Sequence, residues 1–272
     1  MFEDTPHRPV APAVETLRSL AIQRRVIWAL FLREIMTRFG RHNIGFLWLF
    51  VEPMLFTLGV TALWTAARSV HGSDLPIVAF AITGYSSVLL WRNMPSRTIG
   101  AMGPNLSLLY HRNVRPIDIY YSRLLLEAAG ATTSFITLSL VFHFIGWIDL
   151  PEDVLQVAGG WIMLAWFGFS LALLLGALSE QSETIDKLWH PAAYLLFPLS
   201  GAGFLVSGLP QQAQKFVLLL PMVHGVEYLR EGYFGTKITA QYDMAYMALC
   251  NTILTLLGLA QERRLSRVLV PQ

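Results

Sequence analysis

Charged residues are scarce in this sequence. Asp, Glu, Lys and Arg make up 14% of its 272 residues, whereas a typical soluble domain contains about 25%. Hydrophobic residues account for 54%. This balance excludes an ordinary soluble domain and is typical of an integral membrane protein, because each membrane span needs about 20 mostly apolar residues.

Cysteine is almost absent. The one cysteine, Cys250, leaves no partner for an internal disulfide and excludes a zinc site built from several cysteines. The histidines are scattered singly along the chain, so we predict no metal centre. Neither cysteine chemistry nor metal chemistry is therefore expected to be the function.

The motifs of nucleotide binding and hydrolysis are also missing. No GxxxxGK[ST] loop occurs, and the three lysines follow Asp186, Gln214 and Thr236 rather than a glycine-rich run. HExxH, GxSxG and a DxD-like carboxylate pair are missing too. With a net charge of only +2, nucleic-acid binding is not expected. We predict that the chain has no catalytic site and no cofactor of its own, which disfavours a membrane-embedded glycan or lipid transferase.

Long apolar runs fill most of the chain. Six windows are almost free of Asp, Glu, Lys and Arg, with Glu52 and Glu127 as the exceptions. The N-terminus has no apolar signal-peptide region, so it is expected to remain on the mature chain. We predict an all-α integral membrane protein with six transmembrane helices, at about residues 45–67, 75–91, 124–147, 154–179, 188–207 and 243–261.

The basic residues are distributed unevenly between the loops. If the N-terminus is cytoplasmic, 16 of the 20 lysines and arginines fall on the cytoplasmic side. The loop 148–154 on the other side contains only acidic charges. Because short loops rich in Lys and Arg stay in the cytoplasm, we predict a multi-pass protein with both termini cytoplasmic.

An amphipathic helix is predicted before the first span. Residues 1–13 are rich in proline and polar groups, as in a flexible tail. Over 14–41, Glu34 and Arg38 have the spacing of an i,i+4 pair. Apolar residues recur there at steps of three and four, the spacing of one helical face, at Ile27, Leu30, Phe31, Ile35 and Phe39. We expect this helix to lie along the inner membrane surface, with its arginines towards anionic headgroups.

Glu52, followed by Pro53, is a charge inside the first span. A charge at the bilayer centre costs about 2.5–3.5 kcal/mol on insertion scales, so Glu52 is expected to face protein or water. It would either pair with an arginine such as Arg92, near the inner end of the second span, or contact a transported substrate directly. The sequence leaves both roles open.

The cytoplasmic loop 92–123 is long for a connection between two spans. Gly103-Pro104-Asn105 is expected to start a short helix, which Arg115-Pro116 would end. A short basic helix on this side is typical of a docking element for another protein. The alternative is that its arginines only fix the topology.

The region before the last predicted span is broken by prolines and glycines. We predict a re-entrant helical hairpin on the outer side over 208–235, with a turn near 210–215. Non-helical backbone at membrane depth is tolerated only where protein or water covers it. Glu227, Arg230 and Glu231 then lie on one helical face, either as a salt-bridge cluster that orders the loop or at the mouth of a polar cavity.

Three motifs together resemble a known family. They are LREIMTRFGRHNIGFLWLFVEPM at 32–54, FAITGYSSVLLWRNMPSRTIGAMGPNLSLL at 80–109 and PMVHGVEYLREGYFG at 221–235. They resemble the membrane subunits of ABC-2 type exporters, in particular the capsular polysaccharide export permeases of Gram-negative bacteria. The resemblance covers about residues 20–265 and implies an ABC-2 type transmembrane domain over 45–262.

The resemblance also implies partners and a cargo. Such a permease works in the inner membrane as a homodimer with two copies of a cytoplasmic ABC ATPase, which binds ATP and Mg. It would pass a lipid-linked polysaccharide towards periplasmic and outer-membrane export proteins. O-antigen, teichoic acid and small drugs are the alternative cargoes. The residues that would receive the ATPase movement are Arg33, Glu34, Arg38, Asn105, Leu108, Tyr110, His111, Arg112 and Arg115.

Candidates for the substrate path are aromatic and charged. Sugars suit aromatic side chains, which combine an apolar face with polar edges at a boundary. The alternative is that the same aromatic residues pack in the core or lie at the membrane–water interface, where Trp and Tyr are common. The aromatic candidates are Trp48, Tyr85, Trp91, Trp166, Tyr194, Phe204, Tyr228 and Tyr233. The charged candidates are Glu52, Arg92, Glu227, Arg230 and Glu231.

Overall fold

The computed structural model describes residues 12–39, 47–67, 75–110 and 113–269. Every regular element in these ranges is helical and none is a β-strand, as predicted for an all-α protein. Most of the predicted tail, residues 1–11, lies outside the described ranges. The α-helices are α1 Pro12–Phe39, α2 Trp48–Ala67, α3 Ile77–Thr98, α4 Leu106–Leu109, α5 Pro116–Phe144, α6 Val154–Ser179, α7 Glu183–Leu199, α8 Gln211–Val217, α9 Pro221–Phe234 and α10 Met244–Leu269.

Each of the six predicted spans overlaps one helix, namely α2, α3, α5, α6, α7 or α10, although α7 covers only the first part of 188–207. In the described part of the chain, three of them are long and apolar enough to cross a membrane: α5, α6 and α10. α2 contains a shorter apolar stretch, Val51–Ala66. The membrane character of the chain is therefore supported, while the full count of six spans stays a prediction.

Local sequence signals explain where several helices begin and end. Pro116 and Pro221 stand at the starts of α5 and α9, where the missing N–H of proline is not needed. The side chain of Asp153, before α6, accepts a hydrogen bond from the Gln156 N–H at 2.9 Å. α9 ends at Gly235, whose φ of 56° favours glycine.

α3 lies at the centre of the fold. It packs against α2, α5, α6 and α9, and residues 79–91 are all buried. A Cβ added to Gly168 of α6 would lie 2.7 Å from the Trp91 Cα of α3. The two helix backbones are therefore nearly in contact, as small residues allow in membrane helices.

The connections gather at two opposite ends of the long helices. At one end, a buried cluster joins α1, the loop 99–115, α5, α6 and α10 through Leu30, Ala101, Met102, Leu109, Ile119, Tyr120, Leu173 and Leu265. At the other, the Tyr233 hydroxyl of α9 donates to the Asp149 carbonyl oxygen at 3.0 Å. We call these the inner end and the outer end, after the predicted orientation.

α9 is deeply buried beside α6. Gly225, near its start, packs on Leu164, and Gly232, near its end, packs on Val157, so the two helices run antiparallel. Leu164 lies ten residues into α6, about 15 Å from its outer end at 1.5 Å per residue. The start of α9 therefore lies closer to the midpoint of α6 than to its outer end. The re-entrant hairpin stays a prediction that this depth favours.

Several predicted boundaries are corrected by the structure. The turn predicted near 210–215 is wrong, because residues 211–215 belong to the short helix α8 and the chain turns at 218–220 instead. The fifth helix ends at Leu199, where a non-helical stretch begins. The loop predicted over 92–123 is shorter, since α3 continues to Thr98 before the chain leaves the helix.

Replacing Gly168 by Ala should destabilise the fold, because the new Cβ would meet the backbone of Trp91. Overpacking a tight contact costs about 1–3 kcal/mol. Gly59→Ala is the matched control, since a Cβ at this helical glycine meets nothing within 4 Å. We expect detergent-purified Gly168→Ala to unfold at a lower temperature than Gly59→Ala. Equal melting temperatures would contradict the close contact between α3 and α6.

Candidate functional site

A cavity of about 270 Å³ lies among α1, α2, α3 and α5, towards the inner end. Its lining carries five charged side chains: Arg38, Glu52, Arg92, Arg97 and Glu127. Tyr85 also contributes to it. Charges are rare in this chain and costly in a bilayer, so their convergence makes this inner cavity the first candidate for a functional site.

Salt bridges tie α1 to α5 and α3 at the inner cavity. Glu127 of α5 pairs with Arg38 of α1 and with Arg97 Nε of α3 at 2.9 Å. A second pair joins Arg123 Nε of α5 to Glu34 Oε1 of α1 at 3.2 Å. The predicted pair between Glu34 and Arg38 is therefore wrong, because both side chains pair with charges on α5 instead.

Glu52 and Arg92 both line the inner cavity, but no ion pair joins them in the described part of the chain. The Arg92 guanidinium lies over the Tyr194 ring of α7, 5.0 Å from its centroid, a cation–π contact. Glu52 is exposed and also lines a groove with Trp48. The suggested pairing of Glu52 with Arg92 is not formed, so the Glu52 carboxylate stays open to the cavity.

Arg230 of α9 is completely buried, and its hydrogen bonds go to backbone carbonyl oxygens. Nη1 donates to those of Gly201 at 2.6 Å and Phe204 at 2.7 Å, and Nη2 donates to that of Ala202. The guanidinium also lies over the Phe80 ring, 3.7 Å from its centroid. Because a buried charge is tolerated only with such partners, Arg230 holds the non-helical stretch before α8 against α3.

Glu227, one turn before Arg230, also binds backbone. It is buried and accepts hydrogen bonds from the Val206 N–H at 3.2 Å and the Gln241 N–H at 3.1 Å. It therefore joins the stretch before α8 to the one before α10. No salt bridge links Glu227 to Arg230 among the described residues.

Glu231 has a third set of partners. It accepts hydrogen bonds from Gln156 Nε2 of α6 and from the Tyr242 hydroxyl, each at 2.6 Å. The hydrogen bond to Glu231 raises the pKa of Tyr242 to about 12, so the phenol stays protonated and keeps donating at neutral pH. Glu231, Glu227 and Arg230 are thus three separate anchors, and the suggested salt-bridge cluster is wrong.

Several aromatic candidates are used for packing. Trp91 is fully buried in α3, and the Trp166 indole N–H of α6 donates to the Thr255 hydroxyl of α10 at 3.0 Å. Ring packing or hydrogen bonding within the protein also engages the candidates towards the outer end, Phe204, Tyr228 and Tyr233. These contacts favour structural roles for all five.

The remaining path candidates meet at the inner cavity or beside it: Trp48, Glu52, Tyr85, Arg92 and Tyr194. Sequence reasoning missed three charges there, Arg97, Arg123 and Glu127. Glu127 carried a signal, an acid at the edge of an apolar run. Its partners lie 30 and 89 residues away, so no local spacing identified them.

The predicted coupling residues of α1 and the loop helix meet at the inner end. Arg33 Nη1 of α1 donates to the Asn105 side-chain oxygen at 2.7 Å. The Asn105 amide donates in turn to the Ala101 carbonyl oxygen at 2.8 Å. Because Asn105 is buried, this contact locks α1 to the start of the loop helix.

The tip of the same loop points outwards. Leu108 packs against the buried cluster of the inner end, whereas Tyr110 is 81% exposed and Arg115 is exposed. His111 and Arg112 lie outside the described residues. The loop thus combines an anchored base with an exposed aromatic tip, an arrangement suited to contact with another protein.

The charged side chains of the inner cavity can bind a ligand. Among the described residues, no group of three or more His, Cys, Asp and Glu could hold a metal ion. His224 is engaged, since Nε2 donates to the Leu218 carbonyl oxygen and Nδ1 accepts from the Asp243 N–H, both at 2.8 Å. The inner cavity offers guanidinium donors and carboxylate acceptors, which suit a hydroxyl-rich or charged ligand.

Comparison with known proteins gives the following similarities. The sequence pattern of the ABC-2 type transporter family matches residues 25–234. The capsule polysaccharide export inner-membrane protein CtrC of Neisseria meningitidis serogroup A is 47% identical over 256 residues, which cover 94% of this chain and 97% of CtrC. BexB of Haemophilus influenzae, with the same description, is 45% identical over 255 residues, 94% and 96% of the two chains. The polysialic acid transport protein KpsM of Escherichia coli is 28% identical over 245 residues, 89% and 94%.

Replacing Arg230 by Met should strongly destabilise the protein, because the carbonyl oxygens of Gly201, Ala202 and Phe204 would lose their donor, at roughly 1–3 kcal/mol for each one that is buried, while the buried volume stays similar. Arg264→Met, at an exposed position of α10, is the control. We expect a lower melting temperature and less folded protein in membranes for Arg230→Met alone. If both variants melt alike, the guanidinium does not hold the non-helical stretch.

Proposed function

Because the chain belongs to the ABC-2 type transporter family of membrane proteins, we propose that it is the permease subunit of an ATP-driven exporter. Its cargo is a lipid-linked capsular polysaccharide, which it moves across the bacterial inner membrane. One observation carries this proposal, the similarity over nearly the whole of both chains to proteins named for capsule export. O-antigen, teichoic acid and small drugs are the less supported alternative cargoes, because none of these relatives is named for their export.

The energy for transport comes from another protein. The sequence contains no phosphate-binding glycine-rich loop, so ATP and Mg bind to a separate cytoplasmic ATPase, present in two copies. Two copies of this chain form the polysaccharide path between them. Periplasmic and outer-membrane export proteins receive the polymer beyond the inner membrane.

The inner end is the surface that the ATPase moves. Arg33 and Asn105 join α1 to the loop helix, and the pairs of Glu34 and Glu127 join α1 to α5 and α3. The exposed Tyr110 provides a contact for the partner. A push on the loop helix is therefore transmitted to the helices around the inner cavity, which shifts the balance between two conformations of the permease.

The inner cavity forms part of the path. Its arginines and the open carboxylate of Glu52 supply hydrogen-bonding groups, and the nearby rings of Tyr85, Tyr194 and Trp48 suit the apolar faces of sugars. The buried candidates on α9 do not contact the polymer in this proposal. They stabilise the structure of the outer end.

Deletion of the gene in its source bacterium tests the proposed cargo. Capsular polymer should accumulate inside the cell, and the wild-type gene should return it to the surface, as measured by surface immunolabelling and by total polymer content. Unchanged surface capsule would refute export of this polymer. Complete loss of polymer inside and outside would instead indicate a role in synthesis.

Replacing Arg33 by Gln should uncouple ATP hydrolysis from export, because a charged hydrogen bond worth about 1.5–3 kcal/mol joins α1 to the loop helix. We expect surface polymer to fall roughly ten-fold or more, while ATP hydrolysis by the purified complex with its ATPase persists. Arg264→Gln is the control at an exposed site. Full export by Arg33→Gln at normal protein level would rule out this link.

A further inference from the structure

A groove of about 1020 Å³ runs between α1 and α5 at the inner end. Trp28 is 60% exposed and Leu125 is 50% exposed, although both are large and apolar. Ile27, Phe31 and Ala129 complete the apolar part of the lining. In a membrane protein such an exposed apolar lining suits contact with lipid acyl chains.

A basic pocket of about 500 Å³ continues from this groove between α1, α5 and α10. The two share Gln23 and Ile117 in their linings. The pocket contains Arg115, Arg263 and Arg267. The adjoining end of the groove adds two more arginines, Arg24 and Arg25.

Three arginines and one acid, Glu262, line this pocket, so its charge is positive on balance. All five arginines are exposed, and none takes part in a salt bridge within the described ranges. Asp118 is occupied by Gln23 Nε2 at 2.9 Å and by the Arg115 N–H at 3.0 Å. Glu262 lines the pocket but is buried. The exposed arginines are therefore available to an anion.

The order of these residues matches the order of groups in a phospholipid. Along α1, Arg24 and Arg25 precede Trp28 and Phe31, and along α5 the chain runs from Arg115 to the apolar groove at Leu125 and Ala129. Ala129 follows Arg115 by 14 residues, about 21 Å of helix. This equals the thickness of one leaflet with its headgroups, half of about 40–45 Å.

We propose that the groove and the basic pocket together bind one anionic phospholipid of the inner leaflet. The arginines contact its phosphate, and an acyl chain lies against Trp28, Phe31 and Leu125. Basic pockets between membrane helices on the cytoplasmic side suit such headgroups. The apolar groove beside them favours a lipid over a free anion or a polar protein surface. The bound lipid stabilises α1 against α5, independently of the cargo.

The test adds single lipids to the purified full-length protein in detergent and measures bound lipid by native mass spectrometry and stability by thermal unfolding. Dioleoylphosphatidylglycerol should be retained and should raise the melting temperature more than dioleoylphosphatidylcholine. Glycerol 3-phosphate, which has the phosphate without the chains, should have little effect. Equal effects of the two lipids, or an equal effect of glycerol 3-phosphate, would overturn the proposal.

Variants locate the site. The pairs Arg24→Gln with Arg25→Gln, and Arg115→Gln with Arg267→Gln, should weaken phosphatidylglycerol binding about five-fold for each arginine removed. Arg264→Gln, on the same end of α10 but outside both linings, should bind it as the wild type does. Retention equal to that of Arg264→Gln would place the lipid elsewhere. If the variants lose binding to a protein partner but bind phosphatidylglycerol as the wild type does, the surface belongs to that partner. Either of these two results would refute the proposal.

Discussion

The buried guanidinium of Arg230 is the interaction on which the outer end depends. The stretch 200–205 leaves helical geometry close to the start of α3, and its carbonyl oxygens need donors, because a bilayer supplies none. Arg230 provides several donors from one planar group, reaching residues 26 to 29 positions earlier in the chain. With that stretch held, Glu227 can accept a hydrogen bond from the Val206 N–H that follows it, and α9 can pack between α3, α6 and α10.

The inner end is held together by a different kind of interaction. Besides the buried apolar cluster that includes Leu30 and Ile119, its contacts between α1 and α5 include salt bridges and side-chain hydrogen bonds. The side chains of these ion pairs are 9–19% exposed, so breaking one without supplying a new partner would be costly. A rigid outer end and an ionically held inner end suit a permease in which a cytoplasmic partner moves one end against the other.

The inner end also explains how one charged helix can serve two neighbours. The C-terminal part of α1 carries Glu34 and Arg38, which pair with α5 near the inner cavity, and the part before it carries the groove residues. Among these are Arg24, Arg25 and Trp28, which face the groove towards the membrane. The same helix therefore connects the proposed substrate path, the loop helix and the proposed lipid. Its amphipathic pattern in the sequence agrees with contacts to the substrate path, the loop helix and the lipid.

The sequence by itself determined the helices, the membrane class and the family, because hydropathy and the three motifs are properties of contiguous residues. Each predicted span overlaps a helix for that reason. Only the tertiary structure decided which charges meet. Glu34 and Arg38 have the right spacing to pair, yet both pair with charges on α5. Of the acids beside Arg230, Glu227 binds backbone N–H groups and Glu231 binds the side chains of Gln156 and Tyr242. Which charged side chains pair depends on which helices lie next to each other in the fold, and the spacing of residues along the sequence does not show this.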